Sequence, residues 1–143
     1  MKSMRTLLVI ASIAGIALLN ACEKTTDQGK ERSLNIALHG CASNIFTGDD
    51  IRLCFDSVIS DSRCPSDVVC VWQGAAIAKF VFTRHSETHV LTLATISMGT
   101  YFRRDTTLSG YKIEFLDLSP YPEFHSTTPP VNQIKAKVKI TKI

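Results

Sequence analysis

Residues 63–82 read RCPSDVVCVWQGAAIAKFVF, a stretch in which two cysteines lead into a long alternation of apolar side chains. Alternate residues of an extended chain share one face. From the second cysteine onward, one face holds Cys70, Trp72, Gly74, Ala76, Ala78, Phe80 and Phe82. The other face holds Lys79 and Thr83. The pattern predicts a strand with one buried face, with Trp72 in the core beside Cys70 and Gly74 where another backbone segment passes closely.

The same alternation returns at intervals along the chain. It covers residues 34–38, 51–55, 76–82, 90–93, 111–115 and 134–140, and stretches rich in turn-forming residues separate these segments. No segment after residue 22 carries ten residues of helical period with caps. The sequence therefore predicts an all-β domain over residues 33–143. We expect a single antiparallel β-sandwich of immunoglobulin-like architecture, or a β-barrel, with about six or seven strands.

The amino terminus has the form of an export signal. Lys2 and Arg5 precede an apolar run over residues 7–19, and a run of about 13 residues is shorter than the roughly 20 that a membrane-spanning helix needs. The run ends in LLNAC, residues 18–22, which resembles the lipobox of bacterial lipoproteins. This resemblance implies cleavage before Cys22, acylation of that cysteine and a covalent anchor in a membrane.

Residues 23–32, EKTTDQGKER, contain no large apolar side chain and are expected to form a flexible tether. The chain then divides into a signal peptide at 1–21, a lipidated cysteine with its tether at 22–32, and the folded domain at 33–143. Glu23 follows Cys22, whereas an aspartate at that place retains lipoproteins of enteric bacteria on the inner membrane. The resemblance therefore implies the outer membrane.

The charge of the mature chain is close to neutral. The full sequence has 16 basic and 13 acidic residues, and removal of Lys2 and Arg5 with the signal leaves 14 basic residues and a net charge of +1. A balanced charge in an exported protein argues against nucleic acid as a partner.

With Cys22 assigned to lipid, four cysteines remain, namely Cys41, Cys54, Cys64 and Cys70. An even number favours disulfides in an exported chain. Three connectivities are open, and the sequence does not choose strictly among them. The preferred one joins the cysteines that are nearest in sequence, Cys41 with Cys54 and Cys64 with Cys70.

A metal or redox centre is the competing interpretation of these cysteines. Zinc sites place paired ligands two to four residues apart, but five residues lie between Cys64 and Cys70. A thioredoxin-like centre needs two residues between its cysteines. His85 and His89 are four residues apart and are better interpreted as solvated histidines flanking a turn. The sequence predicts no metal and no cofactor.

A row of lysines lies near the carboxyl terminus. Lys135, Lys137 and Lys139 alternate with apolar residues and therefore share one face of the last predicted strand. Such a row is typical of a solvated face or of a guard against pairing at the edge of a sheet.

The cysteine motif also carries a resemblance. DSRCPSDVVCVWQG, residues 61–74, together with the later PYP at residues 120–122, resembles small exported bacterial proteins that share a D-S-R-C-P start and a C-x-W-x-G step. The resemblance implies no activity.

The sequence shows no convincing catalytic constellation, since its histidines and paired acids fall in expected turns or strand ends. We therefore expect a non-enzymatic binding or structural module whose partner is an envelope protein or a glycan. The alternative is a protease inhibitor that presents the loop from Cys64 to Cys70, which contains a proline, is closed by a disulfide and is preceded by Arg63.

Overall fold

The computed structural model describes residues 30–143. The expected signal peptide, Cys22 and most of the expected tether lie outside the described residues. The elements follow in the order β1 (Glu31–Ala37), β2 (Cys41–Ser43), β3 (Ile51–Asp61), β4 (Ala76–Arg84), β5 (Glu87–Ala94), β6 (Asp105–Leu108), β7 (Tyr111–Ser119), a 3-10 turn (Val131–Gln133) and β8 (Lys135–Lys142).

The strands form two antiparallel sheets of four. Sheet A has the order β1-β8-β7-β6, and sheet B has the order β2-β3-β4-β5. The predicted β-sandwich is confirmed. There are eight strands instead of six or seven, because the three-residue β2 and the four-residue β6 are too short to show an alternation in sequence.

The core lies between the sheets and is built by the alternating residues that the sequence marks as apolar. Phe80 of sheet B is fully buried, and its ring lies 5.4 Å from that of Phe55 and 5.3 Å from that of Phe115 across the sandwich. Burial of several large side chains of this kind, at about 1.5–3 kcal/mol each, is the main driving force for the fold.

The two ends of the sandwich are distinct. At the amino-terminal end, where β1 begins, Asp49 accepts a hydrogen bond of 2.8 Å from the Tyr111 hydroxyl and one of 2.9 Å from Lys142 Nζ. At the opposite end, which we call the distal end, β3 finishes at Asp61 opposite Ala76. The Cys64–Cys70 loop and the residues after β7 lie at the distal end.

Two boundaries predicted from the sequence differ from those in the structure. β1 begins at Glu31, whose Cα pairs with Thr141, so the domain starts two residues earlier than the expected position 33. β4 begins at Ala76 and does not extend back to Cys70.

The lysine row lies in the middle of sheet A, because β8 pairs with β1 on one side and with β7 on the other. The edge-guard interpretation of these lysines is therefore wrong. The solvated-face interpretation holds, since Lys135 and Lys137 are exposed and Lys139 forms an ion pair of 3.3 Å with Glu114.

Within residues 30–143, no helix has the length and apolar character required to cross a membrane.

Candidate functional site

Both preferred disulfides are formed. Cys64 is bonded to Cys70 with a Cα–Cα distance of 5.9 Å, and Cys41 is bonded to Cys54. The second pair joins residues directly opposite each other on β2 and β3. It lies on the outer face of sheet B, because the neighbours Leu53 and Phe55 point into the core. The first pair closes a loop at the distal end.

Arg63 anchors the base of this loop from a buried position, with only 6% of its surface exposed. Its guanidinium donates two hydrogen bonds to Asp61, of 2.8 and 2.7 Å, and one of 3.0 Å to Asp117. It also donates to two carbonyl oxygens, Leu118 O at 2.6 Å and Pro120 O at 3.2 Å. The loop is therefore tied to the end of β7.

The charge of Arg63 is stabilised by this setting. Burial disfavours the charged guanidinium, but the hydrogen bonds and negative charge of Asp61, and the charge of Asp117, hold the pKa of Arg63 above its usual value. Arg63 is therefore a buried anchor at the base of the loop. The other features that motivate the inhibitor hypothesis, Pro65 and the closing disulfide, are present in the loop.

Gly74 confirms the predicted close approach of two backbone segments. Its φ is +68°, and a Cβ at this position would collide with the carbonyl oxygen of Ser62. Residues on either side are paired, since Ser62 N–H donates to Ala75 O at 2.9 Å and Cys64 N–H donates to Gln73 O at 2.9 Å. Only glycine adopts this conformation without strain or collision at such a crossing.

The positive φ of Gly74 also explains why the predicted burial of Trp72 is wrong. An extended alternation cannot continue through a residue in the left-handed region, so the residues before Gly74 do not lie on the face that β4 buries. Trp72 is 66% exposed, and Val69 and Val71 are fully exposed. The Cys64–Cys70 disulfide is present, but Trp72 does not pack into the core.

A second loop, which follows β7, lies against the loop that the Cys64–Cys70 disulfide closes, which we call the stapled loop. Ser66 N–H donates to Pro122 O at 3.0 Å, and Asp67 Oδ1 accepts from Phe124 N–H at 2.8 Å. The Arg63 guanidinium lies 4.5 Å from the centre of the Tyr121 ring. Backbone and side-chain contacts thus join the two loops into one unit.

Together the two loops present a surface rich in apolar side chains. We call this the distal apolar surface and define it by its exposed members Val68, Val69, Val71, Trp72, Tyr121 and Phe124. A groove of about 470 Å³ lies beside it, lined by Asp61, by residues 120–123 and 126–130, and by Gln133. The sequence singled out Tyr121 only as part of the PYP element, and it did not identify Phe124. Their position beside the loop depends on Arg63 and Asp67, which are far from them along the chain.

The histidines do not form a candidate catalytic or metal site. His85 Nδ1 lies 3.6 Å from Asp50, and His89 Nε2 lies 3.9 Å from Glu87, with all four side chains largely exposed. Within the part of the chain that the structure describes, no group of three His, Cys, Asp or Glu residues is arranged to hold a metal ion. The distal apolar surface is therefore the candidate site.

Comparison of the chain with protein-family models, with curated proteins and with solved structures found no match.

Proposed function

We propose that this chain is a non-enzymatic binding module of the bacterial cell envelope, anchored by lipid on Cys22 to the outer membrane. We further propose that it binds a protein partner through the distal apolar surface. The anchor is supported by the sequence LLNAC at residues 18–22. The binding role is supported by the structure of the stapled loop.

One observation carries the proposal: Val69 and Val71 are fully exposed in a loop that is closed by the Cys64–Cys70 disulfide. Exposed apolar side chains gathered on one surface mark interaction sites. A loop fixed by a disulfide and by Arg63 loses little conformational entropy when a partner docks, so more of the burial energy appears as affinity. Trp72 adds a side chain of a type enriched at interface hot spots.

The position of this surface supports a protein partner over the anchoring membrane. β7 has nine residues and crosses the length of the sandwich, which corresponds to about 30 Å. From Cys22 to Glu31 the chain makes nine Cα–Cα steps, which span at most about 32 Å when fully extended. The tether could match the length of the sandwich only at full extension, so a domain held at the start of β1 by a relaxed tether presents its distal end away from its own lipid anchor.

The anchor is tested by Cys22→Ser in the full chain. We expect this variant to leave the membrane fraction, or to remain unprocessed, as judged by fractionation and by the mass of the mature protein. Normal membrane retention at the mature mass would exclude lipid on Cys22.

The binding surface is tested with a photoreactive amino acid in place of Val71 in living cells. We expect a covalent adduct with an envelope protein, and we expect Trp72→Ala in the same chain to abolish it. The same probe in place of Ile143 is the matched control, because that side chain is 74% exposed at the amino-terminal end. Adducts of equal yield at both positions, or adducts with lipid alone, would contradict the proposal.

A further inference from the structure

The Cys41–Cys54 disulfide lies where a molecule from solvent can reach it. It joins β3 to β2, which comes first in the order β2-β3-β4-β5 and is therefore an edge strand of sheet B. The bond lies on the outer face of that sheet. Cys41 is exposed, and Cys54 is half-buried.

A cation contacts one of the two sulfurs. Arg52 donates a hydrogen bond from Nη2 to Cys41 Sγ, with 3.1 Å between the two atoms. The register explains this contact, because Arg52 lies two residues before Cys54 on β3 and so shares its face, while Cys54 pairs with Cys41. Among the described residues, Arg52 forms no ion pair with a carboxylate. Its positive charge is therefore available to the sulfur.

The Cys64–Cys70 disulfide has the same exposure but the opposite electrostatic setting. Cys70 is exposed, and Cys64 is half-buried. Cys64 Sγ lies 3.6 Å from the carbonyl oxygen of Pro65 and 3.7 Å from that of Val68. Residues 64–73 contain one acidic residue and no lysine or arginine. Charge, and not access, thus distinguishes the two disulfides.

Charge affects how readily a disulfide is broken. One sulfur departs as a thiolate, and the bond breaks faster when that thiolate is more stable. A nearby cation stabilises a thiolate, whereas the negative ends of carbonyl groups do not. Arg63, which precedes Cys64, is already neutralised by its ion pairs with Asp61 and Asp117. Cys41 is therefore the better leaving group.

We propose that Cys41–Cys54 is a site of thiol–disulfide exchange that is reduced by a dithiol, whereas Cys64–Cys70 is a permanent structural bond. In the first step a thiolate of the dithiol attacks Cys54 Sγ and forms a mixed disulfide. The bond between the two cysteines breaks, and its electron pair stays on Cys41 Sγ. The resulting thiolate lies beside the Arg52 guanidinium.

The second thiol of the dithiol completes the exchange. It attacks its partner sulfur in the mixed disulfide, closes the disulfide of the oxidised dithiol and releases Cys54, which takes up a proton. The dithiol loses two electrons and two protons. Both electrons reach the protein, one proton goes to Cys54, and the other goes to solvent because Cys41 remains a thiolate.

The contacts around β2 hold it beside β3 when the bond is open. His39 N–H donates to Phe55 O at 2.8 Å, and Phe55 N–H donates to Gly40 O at 2.9 Å. After β2, Ile45 and Phe46 are buried in the core. The two sulfurs therefore stay close in the reduced protein, and the exchange is reversible. The proposal depends neither on the lipid anchor nor on the distal apolar surface.

Timed reduction of the full oxidised chain in detergent tests the proposal. Dithiothreitol is the probe, and mass spectrometry after alkylation identifies each reduced cysteine, including Cys22. We expect Cys41–Cys54 to open about threefold faster than Cys64–Cys70, or more. Arg52→Gln should remove this advantage, and Arg52→Lys should preserve most of it. Cys64–Cys70 is the internal control, because its rate should be the same in all three chains.

Two results of this experiment would overturn the proposal. One is reduction of Cys64–Cys70 as fast as Cys41–Cys54 in the parent chain. The other is an Arg52→Gln chain in which Cys41–Cys54 opens at the parent rate.

A second experiment measures the thiolate directly. Cys54→Ser leaves Cys41 as a free thiol, and its rate of alkylation by iodoacetamide at neutral pH follows the thiolate fraction. Adding Arg52→Gln should slow this reaction about threefold or more, whereas adding Arg52→Lys should not. Exposure of the sulfur alone would not distinguish the two substitutions. Cys41→Ser is the matched control, and an equal effect of Arg52→Gln on Cys54 in that chain would contradict the assignment of Cys41 as the leaving group.

Discussion

Two neighbouring segments of similar composition have opposite burial. Residues 68–72, VVCVW, and residues 76–82, AIAKFVF, are both predominantly apolar and are separated by three residues. In the first segment Val69, Val71 and Trp72 face solvent, whereas in the second Phe80 and Phe82 are fully buried. Apolar composition therefore does not decide burial here.

The difference arises at the crossing between the two segments. Gly74 turns the chain out of the extended conformation, and the backbone pairing of Ser62 and Cys64 with the residues around it fixes that turn. The disulfide and Arg63 then hold the first segment away from the core. A disulfide can therefore keep apolar side chains in solvent as well as hold them in a core.

The largest effect on stability is expected for a substitution in the buried segment, residues 76–82. Phe80→Ala should lower the free energy of unfolding by about 3–5 kcal/mol, because it leaves a cavity where three aromatic rings meet. The midpoint of urea denaturation measures this effect. A cost below about 1 kcal/mol would mean that the two segments do not differ in burial as described.

A smaller loss of stability is expected when Arg63, which anchors the base of the exposed segment, is replaced. Arg63→Met should cost about 2–3 kcal/mol, since Asp61 and Asp117 lose their cation, although both carboxylates retain access to water. Urea denaturation gives the stability, and limited proteolysis should cut within residues 64–73 before any other segment. A variant as resistant to proteolysis as the parent would show that Arg63 does not anchor the loop.

The double variant Cys64→Ser with Cys70→Ser should cost about 2 kcal/mol, because the unfolded chain gains the freedom that the short closed loop removes. The cross-linking yield from position 71 should also fall, since the loop is no longer fixed for docking. Cys41→Ser with Cys54→Ser is the control, and it should leave that yield unchanged because this disulfide lies on the outer face of sheet B. A loss of yield in the control alone would contradict the assignment.

The smallest effect on stability is expected for Trp72→Ala, at about 0.5 kcal/mol or less, because the side chain is 66% exposed. The affinity for the partner should fall by about 2 kcal/mol or more if Trp72 is a hot spot of the interface. Denaturation and a binding titration separate the two quantities. A cost of several kcal/mol in stability would restore the core position that the sequence pattern predicts for this residue.

The sequence predicts the long strands because their alternation is strong and local. β3, β4, β7 and β8 each contain at least three buried residues at alternate positions. The even cysteine count favoured disulfides without choosing among three connectivities, and the preferred nearest-neighbour pairing is the one that the structure contains. The order of strands within the two sheets depends on long-range pairing and could not be read from such local patterns.

The distal apolar surface was harder to predict for a different reason. Its geometry depends on one backbone angle at Gly74 and on hydrogen bonds between segments more than fifty positions apart, such as that from Arg63 to Asp117. Neither leaves a periodic signal in sequence. The DSRCP stretch showed that the segment was unusual, but it did not show which of its side chains would remain exposed.

The central position of β8 in sheet A has a consequence for the order of folding. The first strand of the domain pairs with the last one, from Glu31–Thr141 to Ala37–Lys135. Sheet A therefore cannot be completed until the carboxyl terminus is available, and non-local pairing of this kind is slow to form. For a chain that must cross a membrane unfolded, as the proposed export requires, this topology delays closure of the domain until the whole polypeptide has passed through.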